Sequence, residues 1–217
     1  PSNAELPSAP NQGIIVSTTD EDWKEFVGTE PTDEDVFEIN VAELKVTRSF
    51  KQIGTILFNL AENPANGELW VANTDARNLV RFEPALRGHV VDNRITILQS
   101  TKANSQIVDL NPGLNYSLIP NPVALNQAIA QPTDILFDRA GSRAFVTSFG
   151  TDRVGILDSA GNVLTRIEIG DSEGGERNTR NKRGPRALAL HASESVLYVL
   201  NRLTNSISVI DVEKSKS

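Results

Sequence analysis

The chain has 217 residues, 39% of them apolar, and a formal net charge of −7; it carries enough apolar material for a packed core, and its charge argues against duplex nucleic acid as a partner. No stretch approaches the roughly 18 apolar residues of a membrane-spanning helix, and none has the basic-then-apolar pattern of an export signal. Cysteine is absent, which excludes disulfides, thiolate metal sites, a cysteine nucleophile and covalent c-type haem attachment on this chain.

In chain order, the first feature is acid. Asp20, Glu21, Asp22, Glu25, Glu30, Asp33, Glu34 and Asp35 are opposed only by Lys24. Such a run reads as a solvated loop, since a Ca²⁺ site needs several oxygens converging on one point. Around it, Ile14–Ser17, Val36–Asn40 and Val46–Phe50 are short runs of strand character.

From Thr55 onward the sequence repeats itself. The three copies start at Thr55, Gln131 and Gly184. Each opens with a short apolar strand, Ile56–Leu60, Ile135–Phe137 or Ala187–Leu190, and then a polar turn. A second strand places an aromatic residue before valine, as Trp70-Val71, Phe145-Val146 and Tyr198-Val199, and reaches a small polar residue, Asn73, Ser148 or Asn201. After a second turn, Val154–Asp158 and Ile207–Asp211 alternate apolar residues two apart and finish on aspartate, which can cap the next turn. Val163–Ile169 supplies a fourth strand in the second copy. In the first copy an insertion, Pro84–Asn93, precedes a strand at Arg94–Leu98 and an outer strand at Gln106–Leu110. Two irregular stretches intervene, Pro112–Pro132, rich in Pro and Asn, and Asp171–Arg183, rich in Gly, Asn and Arg.

Strand, turn, strand, turn, strand, turn, strand is the blade of an all-β propeller, and stacked blades bury one another's apolar faces. The predicted organisation is one propeller domain. Residues 1–54 are an acidic lead-in with a partial blade, 55–130 a blade with an insertion and a long loop, 131–183 a blade with a Gly/Arg-rich loop, and 184–217 a last blade without its outer strand. Three to four blades do not close a ring by themselves, so further chain or a partner is expected to complete it.

The strings ELWVANTDARNLVRFEP, RAFVTSFGTDRVGILD and VLYVLNRLTNSISVIDVEK resemble the YVTN family of β-propeller repeats. The resemblance implies a secreted or periplasmic propeller, related to large bacterial proteins in which such blades precede cytochrome-like haem modules. The chain has no CxxCH, so it holds no cofactor of its own on this reading; haem, or Ca²⁺, would belong to a larger parent or to a site the sequence does not reveal.

Ligand sites of propellers gather at the mouth of the central channel. Asn73, Ser148 and Asn201, as equivalent strand-end positions, are candidates to face a common region, although small polar residues there more often satisfy local backbone. Arg77, Arg81, Arg177, Arg180, Lys182, Arg183 and Arg186 form the basic candidates, suited to an anionic ligand or an acidic partner surface against the plainer reading of a solvated loop. His89 is expected in a solvated loop and His191 in a turn. No nucleophile motif, phosphate loop or metal-ligand cluster stands out. The expected function is a non-catalytic scaffold or protein-interaction module. The alternatives are a lactonase- or dehydrogenase-type propeller enzyme with a channel site, or a surface adhesion or carbohydrate-binding module.

Overall fold

Short runs of alternating apolar and polar residues, broken by turn chemistry, fold into an almost purely β chain. The computed structural model describes residues 34–77, 86, 88–99, 105–170, 172–173, 176–177 and 180–214. A lead hairpin pairs β1 (Val36–Asn40) with β2 (Lys45–Phe50). Blade one is a four-stranded antiparallel meander of β3 (Ile56–Glu62), β4 (Leu69–Ala76), β5 (Val91–Leu98) and β6 (Gln106–Asp109). Blade two repeats it with β7 (Pro132–Phe137), β8 (Arg143–Ser148), β9 (Arg153–Asp158) and β10 (Val163–Glu168). A small ribbon, β11 (Ser172–Glu173) with β12 (Glu176–Arg177), precedes blade three. That blade has three strands among the described residues: β13 (Pro185–Leu190), β14 (Val196–Asn201) and β15 (Ser206–Asp211). The inner strands β3, β7 and β13 lie side by side, so the blades form an arc of a β-propeller.

Each boundary between sheets is a hydrophobic core. Val36 of the lead hairpin packs with Ile53, Val71 and Leu98. Trp70, Ala72, Ile95 and Ile97 of blade one meet Ile135, Ala144, Val146 and Leu157 of blade two. Phe145, Val154 and Ile156 on the other side of blade two meet Leu197, Val199 and Ile210 of blade three. Burying one such aliphatic or aromatic side chain is worth about 1.5–3 kcal/mol, so these interfaces hold the blades in order. The inner strand of every blade carries a β-bulge in the same place, between Leu57 and Asn59, between Pro132 and Ile135, and between Pro185 and Ala187. A repeated bulge twists each inner strand alike and re-aims the side chains beside it.

The structure extends or changes several expected elements. Strand β4 continues three residues past Asn73 because Asp75 is held on both sides, by the Thr55 hydroxyl at 3.1 Å and the Arg94 guanidinium at 2.8 Å. Strand β5 begins at Val91, opposite Ala76, inside the expected insertion. The Pro112–Pro132 loop contains a helix, α1 (Pro122–Gln127), started by the Asn121 side chain accepting from the Ala124 N–H and by proline at the first turn. Of the acidic run, Glu34 accepts from the Ser49 hydroxyl and Asp35 from the Ile53 N–H. Its earlier members and the Ile14–Ser17 strand lie outside the described residues.

Candidate functional site

In a propeller the inner strands face the central axis, and here their polar groups bind one another across blade boundaries. Asp134, buried at the bulge of β7, accepts from the Asn59 amide of blade one, from its neighbour Ile135 N–H at 2.9 Å and from the Leu188 N–H of blade three at 2.6 Å. One carboxylate thus joins three blades. Beside it the Thr133 hydroxyl donates to the Pro185 carbonyl at 3.1 Å, and Arg186 Nη1 donates to the Thr133 carbonyl at 2.9 Å.

A second polar layer lies at the end of the blades that carries the loops into the inner strands. Asn73, Ser148 and Asn201 occupy equivalent register positions, opposite Leu57, Pro132 and Pro185, and all three are buried. No hydrogen bond joins them to one another. The Asn73 amide donates to the Val71 carbonyl and the Thr96 hydroxyl, while its oxygen accepts from Arg94 Nε at 2.9 Å. Ser148 binds both polar atoms of the Ala130 backbone and the Thr151 hydroxyl. The Asn201 amide donates to Ser206 and Ser208, and its buried oxygen has no partner.

Two arginines that sequence reasoning passed over organise this layer. Arg94 and Arg153 stand directly across from Asn73 and Ser148 in the register. Arg94 reaches Asp75, Asn73 and the Ile53 carbonyl. Arg153 reaches Glu168 at 3.0 Å and the Leu125 and Ala128 carbonyls. Each guanidinium therefore pins the loop that enters its own blade. The recurrence was visible as Arg94-Ile95-Thr96-Ile97-Leu98 against Arg153-Val154-Gly155-Ile156-Leu157. The third copy has Ser206 in that place, which is why Asn201 lacks the donor that Asn73 has.

Of the described basic candidates, Arg186 lies on the inner strand β13, and Arg77, Lys182 and Arg183 lie at the same loop end. Arg77 Nη1 pairs with Asp92 at 3.4 Å. Arg180 is exposed, Lys182 donates to the Gly150 carbonyl at 3.1 Å, and the Arg183 N–H donates to Asp152 at 3.1 Å. Arg81 and the Arg177 side chain lie outside the described residues. His89, expected in solvent, is mostly buried, because its ring stacks on Tyr116 at 3.5 Å between centroids and its Nε2 faces Asp92 at 2.7 Å. Burial, with Asp109 and Asp92 nearby, pushes the Tyr116 hydroxyl above its usual pKa despite Arg77. His191 sits at the other end of the blades, where its Nδ1 accepts from the Ser193 N–H at 3.1 Å and holds a turn. No cluster of His, Cys, Asp and Glu suited to a metal occurs among the described residues.

The family model for the lactonase seven-bladed β-propeller matches residues 96–217, more than half of the chain. The chain belongs to that family. No curated protein sequence matches it. Among solved structures it is similar to the hydrazine synthase of Kuenenia stuttgartiensis, with 19% identity and a TM-score of 0.59 over 80% of this chain and 50% of that one. It is similar also to the periplasmic gluconolactonase of Pseudomonas aeruginosa, with 16% identity and a TM-score of 0.50 over 82% of this chain and 46% of that one. At these identities the likeness concerns the fold. This lactonase-family chain spans about half the length of the solved propellers it matches.

Proposed function

We propose that this member of the lactonase propeller family is a non-catalytic module, built from YVTN-type repeats and working outside the cytoplasm, that presents its loop end to a protein partner. The observation that carries the reading is the engagement of the inner-strand polar groups. Asn59, Thr133, Asp134 and Arg186 are bound to neighbouring blades, whereas a hydrolytic site needs an acid, base or nucleophile aimed at substrate. Among the described residues, Arg77, Arg180, Lys182 and Arg183 bring cationic side chains to the loops of an otherwise acidic chain, which suits an acidic protein surface.

The family match favours a second reading, a lactone-opening enzyme whose site forms at the channel mouth. The two readings separate in one experiment. The purified polypeptide, as its gene encodes it, is mixed with gluconolactone and ring opening is followed by acid release. The expected result is the spontaneous rate at every protein concentration. A saturable rate proportional to protein would overturn the non-catalytic reading and establish the second.

A further inference from the structure

The buried Asn73 and Asn201 amides are held alike. The Asn73 nitrogen donates to the Thr96 hydroxyl at 2.9 Å, and the Asn201 nitrogen donates at 2.8 Å to the Ser208 hydroxyl, which occupies the register position of Thr96. With the nitrogen of each amide fixed on the same side, each oxygen is turned to the other side. There the two blades part. In blade one the Asn73 oxygen accepts from Arg94 Nε at 2.9 Å, and the same guanidinium donates to the Ile53 carbonyl at 2.9 Å and to Asp75 at 2.8 Å. In blade three the oxygen belongs to a residue only 1% exposed and has no hydrogen-bond partner among the described residues. Ser206 stands in the register place of Arg94, but its hydroxyl is engaged with the Asn201 nitrogen at 3.2 Å and with the Thr204 hydroxyl at 2.8 Å. An oxygen buried without a donor is costly, and the fold supplies none.

We infer that this oxygen is the acceptor for a guanidinium group brought by another molecule, which stands at blade three as Arg94 and Arg153 stand at blades one and two. Two features select that chemistry. First, the template is a guanidinium in both preceding blades, and in both its fork reaches a carbonyl of the entry loop four residues before the register partner of Asn73 or Ser148, Ile53 before Leu57 and Ala128 before Pro132. The equivalent residue in blade three is Asn181, four before Pro185. A planar fork spans two such acceptors, whereas an ammonium acts as a point charge. Second, an acid accompanies each guanidinium, Asp75 in blade one and Glu168 in blade two. At blade three Asp152 is held beside the site, accepting at 2.9 Å from the N–H of Gly184, the chain neighbour of Pro185. The inference deepens the reading of the loop end as a docking surface and rests on it for the source of the group, an arginine within an acidic partner surface whose carboxylates meet Lys182 and Arg183.

The probe is methylguanidinium, which tests the site without the partner. It is titrated at constant ionic strength into the polypeptide as its gene encodes it, and the backbone N–H resonances of Asn201 and Ser206 are followed by NMR. Both are expected to shift saturably, with a midpoint on the order of millimolar. Tetramethylammonium, a cation with no N–H donor, should leave them in place. Ser206→Arg supplies the guanidinium from the chain itself and should weaken the response about tenfold or more. If Ser206→Arg does not fold, Asn201→Leu removes the acceptor and should abolish the Ser206 shift. A response that stays linear, that survives unchanged in these variants, or that tetramethylammonium reproduces would overturn the site. So would no shift at all, which assigns the oxygen to a bound water and leaves the docking reading to Lys182 and Arg183 alone.

Discussion

Asp134→Ala is the substitution with the largest expected effect on the candidate site, because one carboxylate accepts from donors in three blades. The change strands the Leu188 N–H, the Ile135 N–H and the Asn59 amide. A hydrogen bond to a charged group contributes about 1.5–3 kcal/mol. The Asn59 and Leu188 donors are only part-buried and recover some water, so the sum is discounted to about 3–5 kcal/mol. Asp134→Asn keeps one accepting oxygen and turns an N–H₂ group toward a donor, for a loss of about 1.5–2.5 kcal/mol. Urea unfolding reads both through Trp70, which is buried at the same blade boundary, in a Trp23→Phe background. With slopes of about 1–3 kcal/mol/M, Asp134→Ala moves the midpoint down by about 1 M or more. Asn59→Ala combined with Asp134→Ala should show a coupling of about 1 kcal/mol, since the two side chains share a bond. An unfolding free energy for Asp134→Ala within about 0.5 kcal/mol of the parent would refute the stapling role. So would a larger loss in the Asn variant than in the Ala variant.

Arg94→Met leaves the buried Asn73 oxygen without its donor, while the Ile53 carbonyl keeps the Thr96 hydroxyl and Asp75 stays solvated, so the expected loss is about 1–3 kcal/mol by urea unfolding. The converse, Ser206→Arg, offers a donor to the unpartnered Asn201 oxygen and should raise the thermal midpoint by a few degrees, a gain of about 0.5–1 kcal/mol. Gly141→Ala puts a methyl group 2.0 Å from Asn63 Oδ1 at a φ of +65°, and a loss of about 2–4 kcal/mol is expected. Burial raises the Asp138 carboxyl, but the Ser142 hydroxyl, the Arg143 N–H, the Arg143 guanidinium and the Ser142 N–H outweigh it and hold the group below the usual carboxylate value of 3.8. Its contribution is therefore complete above pH of about 4 and fades as acid carries the solution through the lower folded value, so Asp138→Asn should flatten the acid limb of a stability–pH curve.

The blades were legible because their signal is local. Trp70-Val71, Phe145-Val146 and Tyr198-Val199 repeat with period two between turns, and each lands where the pattern puts it, in the second strand. The polar interior was much less legible. Buried Arg94 and Arg153 look like surface arginines until the register sets them across from Asn73 and Ser148. Asp134 follows Pro132-Thr133 and reads as turn chemistry, whereas its partners Asn59 and Leu188 are 75 and 54 residues away, a separation that no local pattern encodes. Helix α1 had its signal in Asn121-Pro122, but six residues inside a Pro- and Asn-rich stretch are too few for a helical period to register.

The divergence of the third copy also changes how its entry loop is held, which bears on the basic loop end. Blades one and two pin their entry loops from within, through Arg94 to the Ile53 carbonyl and through Arg153 to the Leu125 and Ala128 carbonyls. Blade three has Ser206 at that position, and its entry loop is gripped instead from blade two. Asp152, buried with a φ of +51°, accepts from the Arg183 N–H at 3.1 Å and the Gly184 N–H at 2.9 Å, and Lys182 reaches the Gly150 carbonyl. Arg183 and Lys182 are thus set by the turn between β8 and β9 of the neighbouring blade. A partner that recognises those cations reads the junction of two blades, and its affinity depends on that junction being closed.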